Sequence, residues 1–205
     1  MGDYRRGRRT YLQMDDRREQ LLDAAVDVMV DDGVSALSLR SVADRVDVSH
    51  RVVTYAFGSK AGLVAALVER ESNKVIVQAW SAPLLDMPLD VAATAAIRAV
   101  VDVVRANPRR HECLAELMTT VRATPEHAET FQKQARVHRE EITARVEEWA
   151  HARGAELPTT TPTLVTALQV AARGAIEQWL STRDDASLTP AIELLVAGFR
   201  ATALR

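Results

Sequence analysis

The sequence predicts an all-α fold of about nine helices, a small three-helix domain followed by a larger helical one. Three observations carry this expectation. Apolar residues recur at i, i+3, i+4 and i+7, as in Leu39, Val42, Ala43 and Val46, and no segment shows sustained period-two alternation. Four times a small polar residue precedes proline (Asn107-Pro108, Thr124-Pro125, Thr161-Pro162, Thr189-Pro190) and an apolar periodic run follows. That pattern is a helix cap with proline at the first helical position, where its missing N–H costs nothing. Finally, 47% of the 205 residues are apolar but only 4% aromatic, so alanine, valine and leucine must do the packing.

Residues 1–15 read as a flexible basic arm, in which Arg5, Arg6, Arg8 and Arg9 face only Asp3 across 1–14. A first helix over 16–32 sets Leu21, Ala25, Val28 and Met29 on one face and stops at Gly33. Ser38 can cap a short second helix. Asp47 and Val48 form a turn, and Ser49 can cap a third helix that runs to Phe57. Gly58 suits the position after a helix end, where positive φ is needed. Ser59 caps a long helix with Leu63, Leu67 and Val68 on its apolar face, reaching toward Trp80. SAPLLDMP (81–88) breaks it with two prolines. Helices then follow near 89–106, 108–123, 125–153, 162–182 and 190–203, the third ending at Gly154. The domain reading is an arm over 1–15, a helix-turn-helix domain over 16–60 and a regulatory and dimerisation domain over 61–205.

The segment SLRSVADRVDVSHRVVTYAFGSK (38–60) has the layout of a helix-turn-helix, whose second helix enters the DNA major groove. The flanks sharpen this. Leu21-Leu22-Asp23-Ala24-Ala25, Gly33, Ser38-Leu39-Arg40, Val42-Ala43, Val48-Ser49, Tyr55, Phe57-Gly58-Ser59-Lys60 and Leu63 together closely resemble the DNA-binding domain of TetR-family transcriptional regulators. The resemblance covers residues 17–70. The rest of the chain is similar to that family only in length and helical pattern. The resemblance implies a dimeric regulator that binds double-stranded operator DNA and is released by a small-molecule effector.

The residues facing DNA are expected to be Arg40, Ser41, Ser49, His50, Arg51, Val52, Thr54, Tyr55 and Lys60. Arg51 is long, always charged and near the helix start, and fits either a guanine edge or a phosphate. Thr54 stands where the family often carries a phosphate-contacting tyrosine, and Tyr55 is one position on. Arg40 and Ser41 begin the second helix, whose free amides suit a phosphate, although Arg40 can instead pair with Asp44. Val53 and Phe57 read as core. Asp47 replaces the usual turn glycine, and aspartate tolerates the left-handed region.

Charge is local. The chain carries a net −2, and residues 1–60 hold ten basic and ten acidic side chains, so no bulk positive field draws DNA in. Arg45, Arg51 and Lys60 instead face only Asp47 across 45–60.

Two helices read as unusually apolar. Leu164, Leu168, Ala171, Ala172, Ala175, Ile176 and Trp179 form one stripe, and Ala191, Leu194, Leu195, Gly198 and Phe199 another. The stripes fit either a monomer core or a two-fold four-helix interface; the resemblance favours a homodimer through 162–182 and 190–203. Ligand-pocket candidates are Cys113, Met118, Arg122, Trp149, Arg173 and Glu177. Arg173 and Glu177 also have the spacing of a surface ion pair. The lone cysteine excludes an intrachain disulfide. His111 with Glu112 and Glu116, and Glu147 with His151, are isolated pairs, so no metal and no cofactor are expected. No nucleophile elbow, phosphate loop or HExxH occurs, which argues against an enzyme. With no membrane span or signal segment, a cytoplasmic protein is expected. The alternative of the same fold is a ligand-independent activator.

Overall fold

The computed structural model describes residues 3–80, 84–123 and 125–201. Among them the regular structure is helical throughout: α1 (Asp3–Asp32), α2 (Leu39–Arg45), α3 (His50–Phe57), α4 (Lys60–Ala79), α5 (Leu89–Ala106), α6 (Pro108–Ala123), α7 (Pro125–Arg153), α8 (Thr161–Thr182) and α9 (Asp185–Ala201), with single 3-10 turns at Val34–Ala36 and Leu84–Asp86. No single helix among the described residues is long and apolar enough to cross a membrane.

Most predicted boundaries fall within a residue of the observed ones, but two starts do not. α1 begins at Asp3 rather than near 16, so the backbone of residues 3–15 is helix and not an irregular arm. This stretch has no proline and carries four arginines with Leu12, Gln13 and Met14, all of which favour helix. α9 begins at Asp185 and carries Pro190 inside it. Asp184 caps this start: its Oδ1 accepts the amides of Ala186 at 2.9 Å and Ser187 at 3.3 Å. A better cap thus overrides the Thr189-Pro190 signal.

The chain divides into two compact units, residues 1–70 with 109–131, and residues 71–108 with 132–205. α4 contributes residues to both. This division differs from the expected boundary at 60, because α6 returns to the first unit: Cys113, Leu117 and Val121, spaced by four, bury in the same cluster as Leu21, Ala25 and Met29. The Cys113 Sγ donates to the Met29 carbonyl at 3.3 Å, and burial pushes the thiol pKa up. α1 buries an unusually wide face, including Leu22, Ala24, Val26 and Val28, because it is the central helix of this unit.

In the second unit, Ala93, Ile97, Val100, Val101 and Val104 of α5 pack on Ala171, Ala175, Ile176 and Trp179 of α8 and on Leu188, Ile192 and Val196 of α9. The apolar stripe read in 162–182 is therefore covered within one chain. At one end Arg105 bridges Asp102 at 2.6 Å and also pairs with Asp185, while the Trp179 indole N–H donates to Asp185 at 2.9 Å. A smaller cluster holds Val146, Leu164 and Val165, with Trp80, Leu89, Ile142, Leu157, Leu168 and Phe199 half-buried around it.

Candidate nucleic-acid interface

The geometry of α2 and α3 follows from their caps and one turn. Ser38 Oγ accepts the Ser41 amide at 3.0 Å, and Ser41 Oγ accepts the Ser38 amide at 2.9 Å, a reciprocal capping box. Between the helices Asp47 adopts φ 51°, and Val48 donates to the Ala43 carbonyl at 3.0 Å. Aspartate thus does what glycine does at this turn. Ser49 sits in extended conformation at the α3 N-cap, yet its hydroxyl makes no cap hydrogen bond. Gly58 takes φ 72° and donates to the Thr54 carbonyl at 2.7 Å, ending α3. The Ser59 hydroxyl accepts the Gly62 amide at 3.1 Å and caps α4.

This frame splits α3 into two faces. Val53 and Phe57 are buried in the core of the first unit, and Val52 and Ala56 pack against it half-buried. Outward stand Ser49, His50, Arg51 and Tyr55, the last 79% exposed, with Thr54 half-buried beside them. Arg40 and Lys60 are also exposed. Thr54 Oγ1 donates to the His50 carbonyl at 3.0 Å and lies 3.3 Å from the His50 ring.

Two members of the expected set are turned to other work. The Ser41 hydroxyl also donates to the Ala36 carbonyl at 2.8 Å and is held inside the cap. Val52 is half-buried because it belongs to the packing face. Arg40 and Asp44 form no ion pair; instead Arg45 bridges Asp31 and Asp32 of α1, each at 2.7 Å. The Asp31 hydrogen bond, with the nearby α1 carboxylates, raises the Arg45 pKa. Arg45 is thus neutralised by α1, and the exposed cations of this surface are Arg40, Arg51 and Lys60.

Three residues escaped the sequence reading. Arg18 of α1 donates through Nη1 to the Ala56 carbonyl at 3.1 Å, with its guanidinium carbon 5.0 Å from the Phe57 ring centroid. Gly62 lies so close to α3 that an added Cβ would sit far inside the 3.0 Å limit from the Phe57 carbonyl oxygen. Its signal was a glycine inside a helical run. Arg70, 8% exposed, donates to Asp23 at 2.8 Å and to Glu19 at 3.3 Å, tying α4 to α1.

The ligand candidates are divided between the two units. Cys113 is plain core of the first unit, and Met118 packs against that core. Arg122 is exposed and donates to the Met118 carbonyl at 3.3 Å. Trp149 belongs to the second unit, where its indole N–H donates to the Met87 carbonyl at 3.1 Å. Arg173 and Glu177 are exposed and form no ion pair with each other, because α8 points its other face at α5. Half-buried His138 of α7 has an imidazole pKa lowered chiefly by burial; Glu141 opposes this and Arg173 adds to it.

Residues 21–67 match the family described as bacterial regulatory proteins, tetR family. This segment is a TetR-type DNA-binding domain. It runs from Leu21 of α1 to Leu67 of α4, and its geometry is set out above. A curated relative, the HTH-type transcriptional activator FasR of Mycolicibacterium smegmatis, is 41% identical over 75 residues, 37% of this chain and 33% of that protein. The chain thus spans about a third of that relative. Among solved structures, the multidrug binding protein EbrR complexed with imidazole is 26% identical, with a TM-score of 0.66 over 89% of each chain. FadR of Bacillus subtilis, in complex with stearoyl-CoA, has a TM-score of 0.66 over 90% of this chain and 98% of its own, at 11% identity, which speaks to fold alone.

Proposed function

We propose that this protein is a homodimeric transcriptional repressor of the TetR family that binds operator DNA through α3 and is released by a small-molecule effector. The observation that carries DNA binding is the two-faced α3. Val53 and Phe57 fix it on the core, while His50, Arg51, Thr54 and Tyr55 stand outward beside Arg40 and Lys60. Arg51 offers a planar donor pair to a guanine edge or a phosphate, and Tyr55, Thr54 and Lys60 offer phosphate donors. Two copies with half-sites one turn apart present their α3 helices about 34 Å apart.

The dimer reading is supported by α9. Leu188, Ile192 and Val196 face inward, yet Leu194 and Leu195 are 76% and 52% exposed, on one face with exposed Ala191 and Gly198. On α8, Val170 and Gly174 are exposed too, and a Cβ on either glycine meets nothing within 4 Å. Such a face suits close approach of a second copy. For the effector, the half-buried apolar residues around Val146, Leu164 and Val165 favour a ligand with an apolar body. The ligand must bind two states differently to shift DNA affinity, and α4, which belongs to both units, is the element that can report it.

The test is fluorescence anisotropy of the purified protein on its own upstream DNA, over a salt series with a scrambled competitor. Selective binding of two protomers per operator with a steep salt slope is expected. Binding that does not distinguish the scrambled duplex overturns the reading. An activator of the same fold is the second reading, favoured by FasR, which bears that description. Transcription from the bound promoter with and without the protein separates the two.

A further inference from the structure

We propose that Arg18 of α1 is a positioning residue for α3, holding its last turn at the orientation that reads the operator; this rests on the DNA-binding reading above. α3 spans only eight residues, too short to hold itself, so its pose depends on what grips it. Its start is tied to α2 by the turn, where Val48 donates to Ala43. Its inward face offers Val53 and Phe57 as buried anchors, four residues apart on one line, with Val52 and Ala56 half-buried beside them. These apolar contacts hold α3 on the core but fix its roll only loosely, because hydrophobic burial has no direction.

Arg18 supplies the missing direction. It reaches across 38 positions of sequence and donates through Nη1 to the Ala56 carbonyl, one of the last-turn carbonyls at the negative end of the α3 dipole. The same guanidinium lies over the Phe57 ring, 5.0 Å from its centroid. A planar fork bonded to the backbone and stacked on the adjacent ring fixes both the tilt and the roll of that turn. α1 therefore holds the motif at two places: Arg18 grips α3, while Asp31 and Asp32 grip Arg45 of α2.

The experiment compares full-length wild type with Arg18→Met, which keeps an apolar stem, and Arg18→Lys, which keeps the charge. Anisotropy is measured on the operator and on a scrambled duplex across a salt series, with circular dichroism establishing that each variant is folded. Arg18→Met is expected to weaken operator binding about ten-fold, the value of one charge-assisted hydrogen bond, while scrambled-duplex affinity and salt slope stay unchanged. Lysine is expected not to restore it, since an ammonium has no planar face to stack. Unchanged operator affinity in Arg18→Met overturns the assignment. So does full rescue by lysine. Equal weakening on both duplexes with a salt slope smaller by about one also overturns it, by making Arg18 a phosphate contact. A wild type that fails to distinguish the duplexes overturns the function itself, an outcome separable from all of these.

Discussion

Replacing Gly62 with alanine sets two effects of opposite sign against each other. In an ordinary helix interior, glycine to alanine stabilises by about 1 kcal/mol, through backbone entropy and helix propensity. Gly62 is the third residue of α4, and its amide is bound by the Ser59 hydroxyl. A Cβ built there falls well inside 3.0 Å of the Phe57 carbonyl oxygen and 3.1 Å from its carbonyl carbon. That carbonyl is backbone, already accepts the Ser59 amide at 2.8 Å, and belongs to a residue whose ring is buried. It cannot swing away as a flexible side chain can. Relieving the overlap must move the end of α3 relative to α4, a strain of about 1–3 kcal/mol by comparison with overpacked cores. The clash outweighs the gain over most of that range, and Gly62→Ala is expected to destabilise by up to about 2 kcal/mol. Because the displaced turn is the one that ends α3, operator affinity is expected to fall as well. Urea unfolding followed by circular dichroism gives the first quantity, and anisotropy the second. An alanine variant as stable as wild type or more so, with full operator affinity, refutes the close approach.

Leu194→Glu with Leu195→Glu tests the dimer face. Covering leucines that are 76% and 52% exposed, on both protomers, contributes about 4–8 kcal/mol, so the double variant is expected to be monomeric at micromolar concentration in light scattering; an unchanged dimer places the interface elsewhere. Asp184 caps α9, and its carboxyl is held below its ordinary value of 3.8, first by the Ser187 hydroxyl and then by the Ser187 and Ala186 amides. Since the folded pKa is the lower one, the cap's contribution is complete above 3.8 and is lost as pH falls through the folded value. Asp184→Ala is therefore expected to melt below wild type at neutral pH, with the gap closing in acid, and a gap independent of pH contradicts the cap.

Much of this molecule was legible in local chemistry. Ser38, Asp47, Gly58 and Ser59 punctuate the helix-turn-helix through cap and turn preferences that act within three or four residues, and the apolar spacing of α3 assigned Val53 and Phe57 to the core. The same logic failed where two local signals competed: Thr189-Pro190 is a sound start signal, but Asp184 offers two amide bonds and begins α9 earlier. It left alternatives open where one helix has several neighbours: the α8 stripe fitted either a core or an interface, and α5 and α9 of the same chain pack on it. The ligand candidates are drawn from three helices and divided between the two units, and no local signal encodes which of them packing brings together.

What the sequence determined by itself was the set of helices, the caps at Ser38 and Ser59 and the outward face of α3, because these depend on contacts between residues a few positions apart. Tertiary structure alone decided that α6 joins the first unit, that Arg45 is spent on Asp31 and Asp32, that Gly62 must lack a side chain, and that Arg18 meets Ala56 and Phe57. Except for Gly62, which meets the nearby Phe57 carbonyl across the break between α3 and α4, each is a contact between segments far apart in the chain, and no periodicity or propensity encodes a partner that only packing supplies.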